Sequence, residues 1–381
     1  MNIFRILVFI LLFPFVFLFL IGKNTFVNTN MFALKNDNSD NNYHLAKEYY
    51  FFKNKKVLNL DSNTLISNPN YIDFAKKYEI NYRIFENNWD NIQIYNSQGY
   101  NLKINKFADI VDFSDDSFHS DLMKKPIITN NKERRITLIS KIKNFYQSIT
   151  SNHPKEIDWR KTTYLSKVKN QQNCGSCWAF SSTGAIETFL RKNNFKVDRL
   201  SEQELVDCSK ENFGCQGGFM DKAFDYCIEN NGLYSETNYP YLATDNECMN
   251  GCKVESKNCT SIDKVYGSSM FDYKFTEPYS INSLKDAVIK NPVCIAINAN
   301  TPIFRFYSDG IIEDDQNIKP QLNHAVLLVG YNYDKKGLYW IVQNSWGKDW
   351  GDKGYFKLRG KEGEGVLSCQ IYGIYPIKEY K

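Results

Sequence analysis

The stretch Gln171-Gln172-Asn173-Cys174-Gly175-Ser176-Cys177-Trp178-Ala179-Phe180-Ser181 sets a cysteine between a polar, glycine-containing loop and an apolar run of helical character. A helix N-terminus offers N–H groups and the positive end of a dipole. Such a setting lowers a thiol pKa from ~8.5 to between ~3.5 and ~7.5. Thiolate is the reactive form, so Cys177 is the leading candidate nucleophile. A thiolate needs a base, and the chain has 4 histidines: His44, His119, His153 and His324. His324 heads the apolar run ending at Tyr331, where a rigid strand can hold an imidazole. Blander readings start from the same residues. A lone histidine in a strand is commonly structural, and Cys174-x-x-Cys177 and Cys248-x-x-x-Cys252 have the outline of zinc-ligand pairs.

The elements that must position these groups fall in the second half of the chain. At 381 residues it exceeds a common single domain, and +4 from 47 basic and 43 acidic residues gives no reason to expect nucleic acid as a partner. All 10 cysteines lie at or after Cys174, as in a disulfide-bonded functional domain behind a cysteine-free region. Residues 6–22 are almost all apolar and flanked by Arg5 and Lys23. They read as a signal peptide over 1–22, or as an uncleaved signal anchor, and either implies entry to the secretory route. Residues 23–70, rich in Asn, Asp and Lys, read as a disordered connector. Apolar residues from Tyr71 to Tyr95 then recur at three- and four-residue steps, predicting an amphipathic helix over about 71–96.

Beyond Cys177, Phe180, Ala185, Ile186, Phe189 and Leu190 predict a buried helix. Ser201-Glu202-Gln203-Glu204 is a capping box opening a second helix, and a third over 220–228 ends at Asn230-Asn231-Gly232. Runs at 292–299, 324–331, 338–343 and 354–358 read as strands. The class is α+β.

The segment around Cys177 resembles the active-site segment of papain-like cysteine proteases, in particular the cathepsin L-like endopeptidases. Asn323-His324-Ala325 resembles the histidine strand of that family, and Asn344-Ser345-Trp346-Gly347 with Trp350-Gly351 its asparagine segment. Phe85, Asn88, Ile92 and Asn96 match half of the helical signature of the inhibitory propeptides. Asn105-x-Phe107-x-Asp109 resembles their second motif, and Pro154-x-x-x-Asp158-Trp159-Arg160 the start of the mature enzyme. Lys77, Asn81 and Lys103 depart from the family pattern.

The resemblance implies a two-lobed fold, a helical lobe facing a β-barrel-like lobe across a cleft. It places an inhibitory, mainly helical propeptide at 71–152 and the peptidase domain at 153–381. With His44 and His119 in the part to be removed and His153 at a frayed start, His324 is left as the base. The resemblance gives Asn344 the orienting role, Gln171 the oxyanion role, and Trp346 the cover over the site. It assigns Gly217 and Gly218 to a strip pairing with extended substrate, and Phe219, Met220 and Ala296 to the pocket for the side chain two positions before the cut. Those linings are apolar, and neither Tyr372 nor Ile374 on the floor is acidic, so hydrophobic residues are expected there rather than Arg.

By the same resemblance Cys174 pairs with Cys215 and Cys208 with Cys248. Cys227 could bridge to Cys252 or Cys259, Cys294 reads as a buried thiol, and Cys369 finds no counterpart between Phe304 and Asn323. The expectation is a monomeric zymogen acting on proteins and peptides. Its own propeptide is its inhibitor, and it needs neither cofactor nor metal. It would work in a lysosome-like acidic compartment or outside the cell, on the membrane until processing if residues 6–22 persist. The rivals are a protease-shaped binding protein without catalysis and a zinc-dependent interaction module.

Overall fold

The computed structural model describes residues 84–85, 87–109, 153–249, 264–265, 267, 269, 271–313 and 321–378. The apolar run 6–22, the connector, residues 71–83 and the arm from 110 to 152 lie outside them. So do Cys252, Cys259 and the Asn258 sequon. Among the described residues no helix is long and apolar enough to cross a membrane. Contacts divide the chain into residues 1–87 and 88–381. Of the first unit only Ile84, Phe85 and Asn87 are described, all helical.

In the second unit the helices are α1 (Cys177–Lys192), α2 (Glu202–Cys208), α3 (Met220–Glu229), α4 (Ile281–Lys290) and α5 (Pro302–Arg305). The strands are β1 (Ile157–Asp158), β2 (Asp272–Phe275), β3 (Val293–Ile297), β4 (His324–Asp334), β5 (Gly337–Gln343), β6 (Tyr355–Arg359) and β7 (Gly373–Ile377). Helices α1 to α3 form one side; the strands form one antiparallel sheet ordered β2-β7-β3-β4-β5-β6. β1 pairs with β4 at Tyr331 and Gly330, beyond the stretch that β3 covers. The sheet is open, with β2 and β6 at its edges, where the resemblance implied a barrel-like lobe.

Helix α1 is buried from Cys177 to Leu190, which makes it the central post of the unit. It lies against β4 without a spacer: a Cβ on Gly184 would sit 3.0 Å from Leu327 Cδ2. Polar hooks hold the same face. Ser181 Oγ donates to Val326 O at 2.8 Å, and Asn291 Nδ2 donates to Ala185 O at 3.1 Å. Such buried donors are tolerated because each finds an acceptor.

Only half of the predicted capping box forms at α2. Ser201 Oγ accepts Glu204 N–H at 2.9 Å, but Ser201 N–H goes to Tyr234 O, and the Glu204 carboxylate takes Tyr234 N–H and Lys264 instead. Packing against residues 232–235 diverts the reciprocal bond. The end of α3 is as the sequence indicated, with Asn231 and Gly232 at φ +59° and +100°.

Residues 88–97 are helical, with Ile92 buried and Ile94 exposed. The chain then turns back on this helix, and two asparagines lace it there. Asn96 exchanges two hydrogen bonds with the Leu102 backbone (3.1 and 2.8 Å), and Asn88 Nδ2 donates to Ala108 O at 3.0 Å. The returning segment runs antiparallel to the chain after α5, with Leu102 opposite Tyr307, Lys103 N–H donating to Phe306 O, and Asn105 Nδ2 donating to Arg305 O.

Candidate active site

Cys177 opens α1, is 1 % exposed, and lies against β4: its Sγ accepts Ala325 N–H at 3.4 Å. Ala325 follows His324, so nucleophile helix and histidine strand meet at this point. Burial pushes the thiol up to about 11, opposed by N–H groups of Ala325 and Trp178. Burial also pushes His324 down to about 4, opposed by its hydrogen bond to Asn344. Both shifts run against charge, and for Cys177 this is opposite to the lowering that a helix start leads one to expect: burial outweighs the amides there.

The imidazole is clamped from two directions. His324 Nε2 lies 2.8 Å from Asn344 Oδ1, which also accepts Ser345 N–H at 2.8 Å. That second bond fixes which end of the amide meets the ring. An amide oxygen only accepts, so Nε2 carries the proton and Nδ1 is the basic nitrogen. The Trp346 indole stacks on the ring, centroids 4.8 Å apart at 30°, and is itself 6 % exposed. It keeps bulk water off the pair.

Gln171 is fully buried, whereas its neighbour Gln172 is exposed at φ +54°. Gln171 Oε1 accepts Ser345 Oγ–H at 2.6 Å and Nε2 donates to Cys174 O at 2.8 Å. A carbonyl only accepts, so the Cys174 bond fixes the amide with its NH2 toward Cys174 and its oxygen toward Ser345. Each such amide has two N–H donors, and the Cys174 carbonyl takes one of them.

On the other side, Cys174 is bonded to Cys215, tying this loop to the glycine strip; Cys208 is bonded to Cys248. Neither apparent zinc pair survives this pairing. Gly218 is needed because a Cβ would fall 2.8 Å from the Trp178 indole and 2.5 Å from Asn212 Oδ1. Met220 and Ala296 are buried and Phe219 is half-buried. Tyr372, expected on the pocket floor, accepts Ala296 N–H at its carbonyl (3.4 Å) and directs its hydroxyl to Asp221 at 3.3 Å.

A family profile described as "Papain family cysteine protease" matches residues 153–375. The chain belongs to the papain family of cysteine proteases. It is 43% identical to cathepsin K of Mus musculus over 206 residues, 54% of this chain and 59% of that one. It is 35% identical to the probable cysteine protease RD21C of Arabidopsis thaliana over 315 residues, 81% and 65% of the respective chains. The chain thus spans less than two thirds of the length of these two relatives. Among solved structures, a crystal structure of the ragweed pollen allergen Amb a 11, a cysteine protease in its proform, superposes with a TM-score of 0.62 at 29% identity, covering 84% of this chain and 99% of that one.

Three features of this papain-family chain were not visible in its motifs. The first is Ser345, whose role follows from a contact with a residue far away in sequence. The second lies behind Gln171: Lys169 Nζ pairs with Glu187 at 2.7 Å and with Glu202, both carboxylates fully buried. Burial would lower the Lys169 pKa, but the two carboxylates outweigh it and hold the ammonium above its ordinary value. A charged residue inside the apolar face of α1 was the available signal. The third is His153, which is not frayed: its Nε2 lies 2.6 Å from Asp286 Oδ1 on α4, and its side chain is 8% exposed. Cys227, offered as a bridge partner, is a free thiol at 0 % exposure, turned into the core by α3; Cys294 is likewise a buried free thiol.

Proposed function

We propose that the protein is a cysteine endopeptidase made as an inactive zymogen, with Cys177 as nucleophile and His324 as base. The observation that carries this is the meeting of Cys177 Sγ with the Ala325 amide while Asn344 holds the adjacent imidazole at 2.8 Å. Uncovering the site admits water and substrate, the proton passes from sulfur to the imidazole, and the thiolate attacks the peptide carbonyl. Charge gathers on the carbonyl oxygen, where the Gln171 amide and the Cys177 backbone N–H donate to it. Imidazolium His324 then gives its proton to the leaving amine. Water, deprotonated by His324, cleaves the thioester and restores the thiol.

Several supports bear on the finer points. The segment 101–108 lies on the chain beside Trp346, as an inhibitory propeptide would. Gly217, Gly218, Phe219, Met220 and Ala296 give an apolar wall suited to a hydrophobic residue two positions before the cut. The Asp221 carboxylate accepts from the Tyr372 hydroxyl at 3.3 Å. The apolar run 6–22 directs the chain to the secretory route and an acidic or extracellular destination, anchored there if it is kept.

The test is labelling of the acid-processed protein with an epoxysuccinyl thiol-protease inhibitor, beside Cys177→Ala, followed by peptides carrying Leu, Phe or Arg before the residue cut. One label per molecule, lost in the variant, is expected, with Leu and Phe preferred. Labelling that is absent, or survives the substitution, overturns the reading.

A further inference from the structure

The oxyanion loop and the start of α1 converge on one hydroxyl that the mechanism above does not use. Tyr241 Oη lies 2.8 Å from the carbonyl oxygen of Gln171 and 2.6 Å from Ser176 Oγ. A carbonyl only accepts, so the phenol donates to Gln171 and its oxygen accepts from the Ser176 hydroxyl. The order of protons in the chain Ser176 to Tyr241 to Gln171 is thereby fixed. Burial raises the phenol well above its ordinary value, so the donor proton stays in place.

This order matters for α1. Ser176 is its N-cap residue, and a serine there ordinarily turns its oxygen onto the second or third amide of the helix. Here the Ser176 side chain makes no cap bond. Its hydroxyl points to Tyr241 instead, so the Trp178 amide, which a serine cap could take, is left to the thiol. The tyrosine ring is itself held: Phe180 of α1 stands edge-on at 4.8 Å, and Tyr241 N–H donates to Glu236 Oε1 at 3.3 Å.

We propose that Tyr241 is a positioning residue: its hydroxyl ties the Gln171 loop to the N-cap of α1 and so sets the spacing between the two oxyanion donors, the Gln171 amide and the Cys177 N–H. The proposal rests on the protease reading above. Spacing of this kind is worth rate because oxyanion donors act only at a narrow range of distances from the developing charge.

Tyr241→Phe, made in the full-length chain and then acid-processed, keeps the ring and removes the hydroxyl. The expected result is a kcat about tenfold lower, as for a lost hydrogen bond acting in the transition state. KM should stay within about twofold, since substrate binding is untouched, and the melting temperature should fall by only a few degrees, the cost of one buried hydrogen bond with the ring still in place. In a Gln171→Ala background there is no second donor left to space, so adding Tyr241→Phe should cost less than about twofold more. A kcat for Tyr241→Phe alone within about twofold of the parent overturns the proposal, as does a full tenfold loss on top of Gln171→Ala. A parent protein without peptidase activity overturns the protease reading itself, and this proposal with it.

Discussion

Phe107 stands edge-on to Trp346, ring centroids 4.8 Å apart at 63°, and the same indole stacks on His324. Lys106 reinforces the contact by donating from Nζ to Trp346 O at 3.2 Å. One aromatic ring therefore relays the presence of the leading segment to the imidazole. Phe107→Ala should weaken the hold of that segment by about 1–3 kcal/mol, from lost burial and the lost aromatic pair. Self-processing of the full-length chain at a fixed acidic pH should then begin sooner; an unchanged lag would show that this contact does not hold the segment.

Acid should destabilise the covered state through His324. Its folded pKa is about 4 against an ordinary 6.5, so between these values the unfolded chain binds a proton that the folded chain refuses. Stability must fall as pH drops from 6.5 toward 4 and is regained on the return to neutrality. Melting of the Cys177→Ala zymogen across this range should show the loss, and His324→Gln in the same background should flatten it. Equal slopes for the two proteins would remove His324 from the account of acid sensitivity.

Gln171→Ala should lower kcat by about 100-fold to 1000-fold with little change in KM, since the amide meets charge only in the transition state. Asn344→Ala removes the acceptor that fixes the His324 tautomer, and should lower kcat by a similar order. Steady-state kinetics with one peptide decides both. A rise in KM without loss of kcat would assign these side chains to ground-state binding instead.

Lys169→Met leaves Glu187 and Glu202 buried without their shared cation. Breaking such a pair by removing one partner costs about 3–5 kcal/mol. Urea unfolding of the variant in a Cys177→Ala background should show a lower midpoint with an unchanged slope.

What was legible in the sequence was whatever depends on residue type and local period. The four groups Gln171, Cys177, His324 and Asn344 do come together around the start of α1, because a loop–helix junction and two strand ends carry them. Elements without a clean period were missed. β2 runs DYKF along an exposed sheet edge, and β7 contains Pro376, which an edge-facing position tolerates but a strand pattern does not suggest. Helix α4 opens with Ser280 accepting Ser283 N–H, a cap easily read as another polar turn.

Contacts between distant segments were legible only where the family resemblance carried them, as for Cys174–Cys215 and Cys208–Cys248. His153 looked frayed because nothing near it in sequence could hold it, while its partner Asp286 is 133 residues away. Ser345 and Tyr241 look like ordinary polar residues until the fold sets each beside Gln171. The Asn88 and Asn96 positions were visible as a pattern, but their physical purpose, lacing the helix to the chain that returns along it, needed coordinates.

The contact of Gly184 with Leu327 makes the smallest side chain in the core a gauge for the chemistry. Helix α1 carries the sulfur and β4 carries the imidazole, so the thickness of matter at this crossing sets how far apart the two reactants are mounted. One added methyl, seven residues from the nucleophile and touching none of the reacting groups, would act as a shim between them. On the protease reading, Gly184→Ala would press on the crossing of helix and strand while leaving every residue of the cleft unchanged.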